Sequence, residues 1–226
     1  MNPWVQAASA ALTPLADPVN ATHMRAYMKD IAPFFGIMTP TRRTALRAAW
    51  KPLGLLTEPG LSSTCREFWS LPEREYQYAA CDLIARHSRV LSADFIGGTA
   101  QDLVVTKPWW DTVDSLGSVA ITPVVANHSE LVELMWTWLD SGDRWLIRAA
   151  IQHQRGLGDE TDLDTLFAMC DRFADDQEFF IAKAIGWALR DASSLDAAAV
   201  RTFVDEHPGL SSVARREAER GLARRS

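Results

Sequence analysis

Glu73-Arg74-Glu75-Tyr76-Gln77-Tyr78-Ala79-Ala80 begins with charged residues and closes on small apolar ones, and the chain returns to that pattern twice. It recurs as Asp143-Arg144-Trp145-Leu146-Ile147-Arg148-Ala149-Ala150 and as Gln177-Glu178-Phe179-Phe180-Ile181-Ala182-Lys183-Ala184. Superposition brings Ala80, Ala150 and Ala184 into register, and Ser115 falls at the expected place between the first two. The steps are about 35, 35 and 34 residues, a period that holds two short helices and their turns. Such a period is the signature of an α-solenoid, in which each helix pair buries its apolar face against the next. The tetratricopeptide pattern is missing. The spacing therefore predicts an all-α, HEAT-like solenoid of stacked antiparallel helix pairs, with residues 1–226 as a single repeat domain. The second helix of each pair would line a concave surface.

The rest of the chain reads the same way. Long alternation of apolar and polar residues is absent, while helical spacing recurs. Tyr76, Ala79, Ala80, Leu83, Ile84 and His87 fall at i, i+3, i+4, i+7, i+8 and i+11, which predicts a helix from Pro72 to His87. Thr39-Pro40, Leu71-Pro72-Glu73 and Lys107-Pro108 place Pro where a first helical turn accepts it. Asp143, Asp162 and Ser194 read as N-caps. Roughly twelve to fourteen short helices result. Thr57-Glu58-Pro59-Gly60 and Gly156-Leu157-Gly158 read as loops.

The 226 residues are 47% hydrophobic and 23% charged, the composition of a globular protein with a sizeable core. No apolar run is long enough to span a membrane. Met1-Asn2-Pro3-Trp4 lacks the basic and apolar regions of a signal peptide. Cys65, Cys81 and Cys170 form no CxxC pair, which argues against a disulfide framework or a structural zinc site and for a reducing cytoplasm. The five histidines are scattered, and no metal cluster or phosphate-cradling Gly loop stands out, so no metal or cofactor is implied. The net charge of −6 at first opposes nucleic-acid binding, but it is unevenly spread. Residues 1–60 carry six Lys/Arg against three Asp/Glu, and the last fourteen hold five Arg against two Glu.

Counting 100° per residue from the aligned small residue puts Asp114 at about −100°, Trp110 at about −140°, Arg148 at about −200° and Trp187 at about −60°. Four residues from three consecutive repeats thus share an arc of about 140°. Trp109, at about +120° on the same count, reads as core. Periodicity alone supports a polar-aromatic face; packing roles for the indoles and a simple Asp114–Arg148 pair are the alternative.

Thr106-Lys107-Pro108-Trp109-Trp110-Asp111-Thr112-Val113-Asp114-Ser115 resembles the TK-x-WWD-x-VD-S signature of AlkD-like DNA alkylation-repair glycosylases. Phe68–Gln77, Trp145–Ile151, Phe179–Arg190, Met24–Lys29 and Phe35–Arg43 also resemble that family, in the expected order over about residues 1–220. Pro108 stands where the family more often has a small polar residue, and Met38 where some members have Gln. The resemblance implies a HEAT-like solenoid that wraps duplex DNA in a concave groove and excises cationic N3- and N7-alkylpurines. It implies that Trp110, Asp114 and Trp187 form the active cleft, with Arg148 on the DNA backbone. Tyr27, Lys29, Arg43, Lys183 and Arg190 are further candidates for DNA contact, as are Arg25, Arg42, Arg47, Arg215, Arg216 and Arg220.

A carboxylate at Asp114 suits the oxocarbenium-like centre of glycosidic cleavage. The indole faces suit a cationic lesion. An alkylated purine is already a good leaving group, so no general acid is required. No catalytic Lys is identified, which predicts a monofunctional glycosylase of base-excision repair, monomeric by resemblance. Two rivals differ in class: an inactive HEAT-repeat binder of damaged or distorted DNA, and a protein-interaction scaffold.

Overall fold

A computed structural model of the chain describes residues 2–223. Arg224 and Arg225 of the basic C-terminal run lie outside the described residues. The described residues contain helices and their connections, with no strand, as the missing alternation predicted. No helix among them is long and apolar enough to cross a membrane. The contacts divide into two compact units, Met1–Ala120 and Ile121–Ser226.

In the first unit the helices are α1 (Pro3–Leu12), α2 (Pro18–Tyr27), α3 (Thr39–Trp50), α4 (Glu58–Ser70), α5 (Arg74–Arg86), α6 (Ala93–Phe95), α7 (Gln101–Val105) and α8 (Trp110–Leu116). A π-helical turn, Ile96–Ala100, joins α6 to α7. Helices α4 and α5 pack as a pair, and α1 packs on α3. Val5, Leu12, Leu46, Leu61, Phe68, Leu83 and Ile84 form the core between them. Ala80 is fully buried, as its place in the repeat predicted.

Helix α5 is buried on more than its apolar stripe, since Arg74, Glu75 and Gln77 are also inside. Buried charges require partners. The Glu75 carboxylate accepts the backbone N–H groups of Phe35 (3.0 Å), Gly36 (2.9 Å) and Ile37 (3.1 Å). It thereby fixes the loop that delivers α3. Gly36 adopts φ +87°, and a Cβ there would run into Asp17 O and the Ala21 backbone nitrogen.

The second unit contains α9 (Thr122–Val125), α10 (Leu131–Leu139), α11 (Arg144–Ile151), α12 (Leu163–Asp171), α13 (Phe179–Ala192), α14 (Ala197–Glu206) and α15 (Ser212–Ala223). Helices α10 and α11 form one pair and α13 and α15 the closest one, with α11 packed on α13. Ala150 and Ala184 are fully buried, again in accord with the repeat. Successive helix pairs stacked through small residues are the HEAT-like, all-α arrangement the period predicted.

Several local expectations are corrected. Thr57-Glu58-Pro59-Gly60 is the start of α4, not a loop. Thr57 accepts the Gly60 N–H, and Pro59 sits in a first turn that needs no N–H from it. Pro72 and Pro108 lie just before the N-caps Glu73 and Trp109, not at the first helical position; Leu71 before Pro72 is extended, as a residue before proline prefers. Asp143 and Asp162 are N-caps as expected. Ser194 is not: its hydroxyl donates back to Asp191 O, and Asp196 caps α14 through the Ala199 N–H. Gly36→Ala is expected to lower stability by about 2 kcal/mol or more, from strain and clash together, measured as a fall in the urea midpoint.

Candidate active site

The approach to α8 is held from α5. Arg74, 1% exposed, donates through Nη2 to Asp111 Oδ1 (2.6 Å) and Thr112 Oγ1 (2.8 Å), and through Nε to Asp111 Oδ2 (3.1 Å). Its Nη1 donates to Lys107 O at 2.8 Å. One turn along α5, the Tyr78 hydroxyl donates to Asp111 Oδ2 at 2.6 Å. Burial and the adjacent Asp111 carboxylate push the Tyr78 phenol far above its usual range, so it stays a donor. Lys107 takes φ +47° and donates Nζ to Ser70 O (3.1 Å) and Leu71 O (2.8 Å), at the carbonyl-rich end of α4. Burial, with the Arg74 charge, pushes the Lys107 ammonium below its usual range. The turn Lys107-Pro108-Trp109 is thus clamped at both ends before Trp110 begins α8.

Trp109, which the residue count reads as core, is half-buried against a buried cluster, and the count itself does not hold for it. Its backbone is extended, φ −160° and ψ 160°, so it precedes the helix and 100° per residue does not apply to it. Both Trp109 and Trp110 are half-buried and pack on a small cluster of Ala21, Met28 and Phe34. Tyr27, at 72% exposed, meets the Trp110 ring edge-on, with centroids 6.3 Å apart and planes at 80°. Asp114, half-buried, follows Trp110 by four residues on α8 and so shares its helical face. Tyr27, Trp110 and Asp114 therefore belong to one local constellation.

Lys29 is exposed at φ +60° in the turn after α2. Arg43 is exposed and donates Nε to Asp82 at 2.8 Å, while its neighbour Arg42 is buried and reaches Asp82 at 3.3 Å. Arg42 also lies over the Tyr78 ring at 4.8 Å.

The second unit collects the other candidates around Trp187. Arg148 is 1% exposed, and its Nη1 donates to Phe180 O at 2.7 Å. Its guanidinium carbon lies 5.2 Å from the Trp187 ring centroid. Arg155 lies at 4.4 Å, Lys183 Nζ at 5.7 Å and Arg190 at 5.9 Å from the same centroid. A single indole thus faces four cations. Glu217 on α15 is the counter-charge: it accepts from Lys183 Nζ (2.8 Å), Arg190 Nη1 (2.9 Å) and Arg220 Nη1 (2.8 Å). Arg155 and Arg190 also line a cleft of about 730 Å³ with Gln152, Ala188, Ser193 and Gly221. Sequence reading missed Arg155, which lies in the turn after α11, outside the repeat pattern. It also missed Glu217, whose one signal is an acidic residue among Arg215, Arg216 and Arg220. Among the described residues no three His, Cys, Asp or Glu side chains are gathered as metal ligands would be.

A family model described as DNA alkylation repair enzyme matches residues 8–222. The chain belongs to the DNA alkylation repair enzyme family. A solved structure described as a predicted DNA alkylation repair enzyme from Enterococcus faecalis is 30% identical to it, with a TM-score of 0.84 over 92% of this chain and 97% of that one. No protein of curated function matches the chain. The segments that carried the family resemblance in sequence, around Arg74, Trp110, Arg148 and Trp187, are those whose side chains build the two constellations.

Arg74→Met leaves the Asp111 carboxylate buried without its guanidinium and is expected to cost about 3–5 kcal/mol in urea unfolding. Adding Asp111→Leu should recover part of that loss; a larger loss in the double variant would show that the pair is not the unit of stability. The Lys183 hydrogen bond holds the Glu217 carboxyl below the usual carboxylate value of 4.5, against its burial, with Arg220 and Arg190 adding to the effect. A depressed folded-state value means that the stabilisation is present above pH 4.5 and is lost as pH falls through the depressed value. The urea midpoints of wild type and Glu217→Gln are therefore expected to converge as pH is lowered below 4.5.

Proposed function

We propose that the chain is a monofunctional DNA glycosylase that hydrolyses the N-glycosidic bond of cationic N3- and N7-alkylpurines, such as 3-methyladenine and 7-methylguanine, in duplex DNA. The observation that carries this reading is a carboxylate, Asp114, one helical turn from an aromatic pair, Trp110 and Tyr27, on a helix whose start is clamped by Arg74. Aromatic faces attract a cation by about 0.5–2 kcal/mol each, depending on desolvation. A cationic alkylpurine and the sugar it leaves are such cations.

In the reaction the C1′–N bond breaks and its electron pair moves to the purine, which departs as a neutral base. Positive charge develops at C1′. Asp114 stabilises it and orients water for addition there, and the water proton passes to the carboxylate or to solvent. The lesion's own charge makes it a leaving group, so protonation of the base is unnecessary. Neutral lesions such as uracil and hypoxanthine are therefore poor substrates. The proposed chemistry uses no Schiff-base lysine, so strand cleavage is not part of the activity.

In the second unit, the cationic side chains of Arg148, Arg155, Lys183 and Arg190 around Trp187 suit backbone phosphate. Lys29 and Arg43 add sequence-independent phosphate contacts from the first unit. Because the whole chain carries −6, binding depends on these local clusters and weakens steeply with salt.

The decisive experiment is single-turnover release of 7-methylguanine from a duplex carrying one such lesion, at low salt. Wild type is expected to release the base. Asp114→Asn is expected to be slower by about 100-fold or more while binding the duplex within about threefold of wild type. Binding without release by wild type, here and with a 3-methyladenine analogue, would instead identify an inactive binder of distorted DNA. Failure of both would identify a protein-interaction scaffold.

A further inference from the structure

We propose that Glu217 is a positioning residue for this reaction: a buried carboxylate that sets Lys183 and Arg190 on either side of Trp187, so that DNA phosphate meets cations already in place. The inference rests on the glycosylase reading for its chemistry and on the structure for its geometry.

Lys183, Trp187 and Arg190 follow one another on α13 at intervals of four and three residues, so they form a single stripe. The indole lies between the two cations along that stripe. Glu217, 3% exposed, reaches both of them with different oxygens, Oε1 to Lys183 and Oε2 to Arg190. Its backbone comes that close because position 186 is glycine. A Cβ on Gly186 would lie 2.8 Å from Glu217 Cβ and 3.0 Å from Ala214 Cα, so α15 would have to move off. The close α13–α15 contact is thus what delivers the carboxylate to the stripe.

The charge balance shows why such a group is required. Arg148, Arg155, Lys183 and Arg190 surround one ring, and Arg220 adds a fifth cation through Glu217. Like charges repel, and long Lys and Arg side chains have many rotamers to choose from. A single carboxylate shared by Lys183, Arg190 and Arg220 holds those three together, one negative charge among three positive ones. It also leaves donors unspent: Lys183 and Arg190 each remain 27% exposed in their side chains, and an ammonium has three donors and a guanidinium five. What Glu217 contributes is order established before DNA arrives.

Glu217→Gln keeps the shape of the side chain and removes its charge. It is compared with wild type in two assays across a range of salt: equilibrium binding of an undamaged duplex, and single-turnover release of 7-methylguanine at saturating protein. The variant is expected to bind with a salt slope about one unit steeper, because no carboxylate competes with phosphate. It is also expected to release base at least about tenfold more slowly, because the cations are no longer held in register. Lys183→Met should be slower too, and the double variant no slower than the slower single one. Unchanged release by Glu217→Gln, or losses that multiply in the double variant, would overturn the positioning role. Should Glu217→Gln fail to fold by circular dichroism, Lys183→Met and Arg190→Met decide: each must slow release more than Arg66→Met, and equal effects overturn the role. A wild type that releases no base sinks the glycosylase reading instead. Binding then judges Glu217 alone, and an unchanged salt slope overturns it.

Discussion

The guanidinium of Arg74 is the tie on which the first constellation depends. Arg74 begins α5, a helix already anchored in the core by Tyr76, Ala79, Ala80, Leu83 and Ile84. From that fixed base it reaches Asp111, Thr112 and the Lys107 carbonyl. Removing charges from water is costly, and only the fork of Arg against a carboxylate, with Tyr78 satisfying the second oxygen, makes the arrangement stable. The consequence is positional. Asp111 follows Trp110 directly and precedes Asp114 by three residues, so a clamp at Asp111 fixes the start of α8 and, with it, both candidate groups.

The second unit solves the opposite electrostatic problem. At Asp111 one carboxylate is held by one buried guanidinium, whereas beside Trp187 one carboxylate, Glu217, is shared by Lys183, Arg190 and Arg220. The first arrangement is closed, with its charges matched inside the protein. The second is more open, with Lys183 and Arg190 each 27% exposed in their side chains. A chain of net charge −6 can thus still gather several cations around one ring. Local packing, not composition, decides where charge is displayed.

In the reaction proposed for this chain, the first arrangement would supply carboxylate–aromatic chemistry and the second phosphate anchoring. In that proposal a transition state cationic at the sugar would gain from Asp114 and the faces of Trp110 and Tyr27. Arg148, buried and bonded to Phe180 O, supports the cluster around Trp187 from within.

The sequence by itself determined the helical class, the period of about 35 residues and the buried register of Ala80, Ala150 and Ala184, because one face of each helix must be apolar and small wherever the next packs. It also marked Trp110, Asp114 and Trp187, whose spacing on their helices is a local property. The start of α4 at Glu58 and the extended backbone of Trp109 escaped it, since a Pro in a first turn resembles a loop and a residue before an N-cap obeys no helical count. Only the tertiary structure decided that Arg74 holds Asp111 from 37 residues away and that Glu217 gathers Lys183 from 34 away. Those pairings depend on how closely two helices approach, and a glycine such as Gly186 permits that approach without announcing its partner.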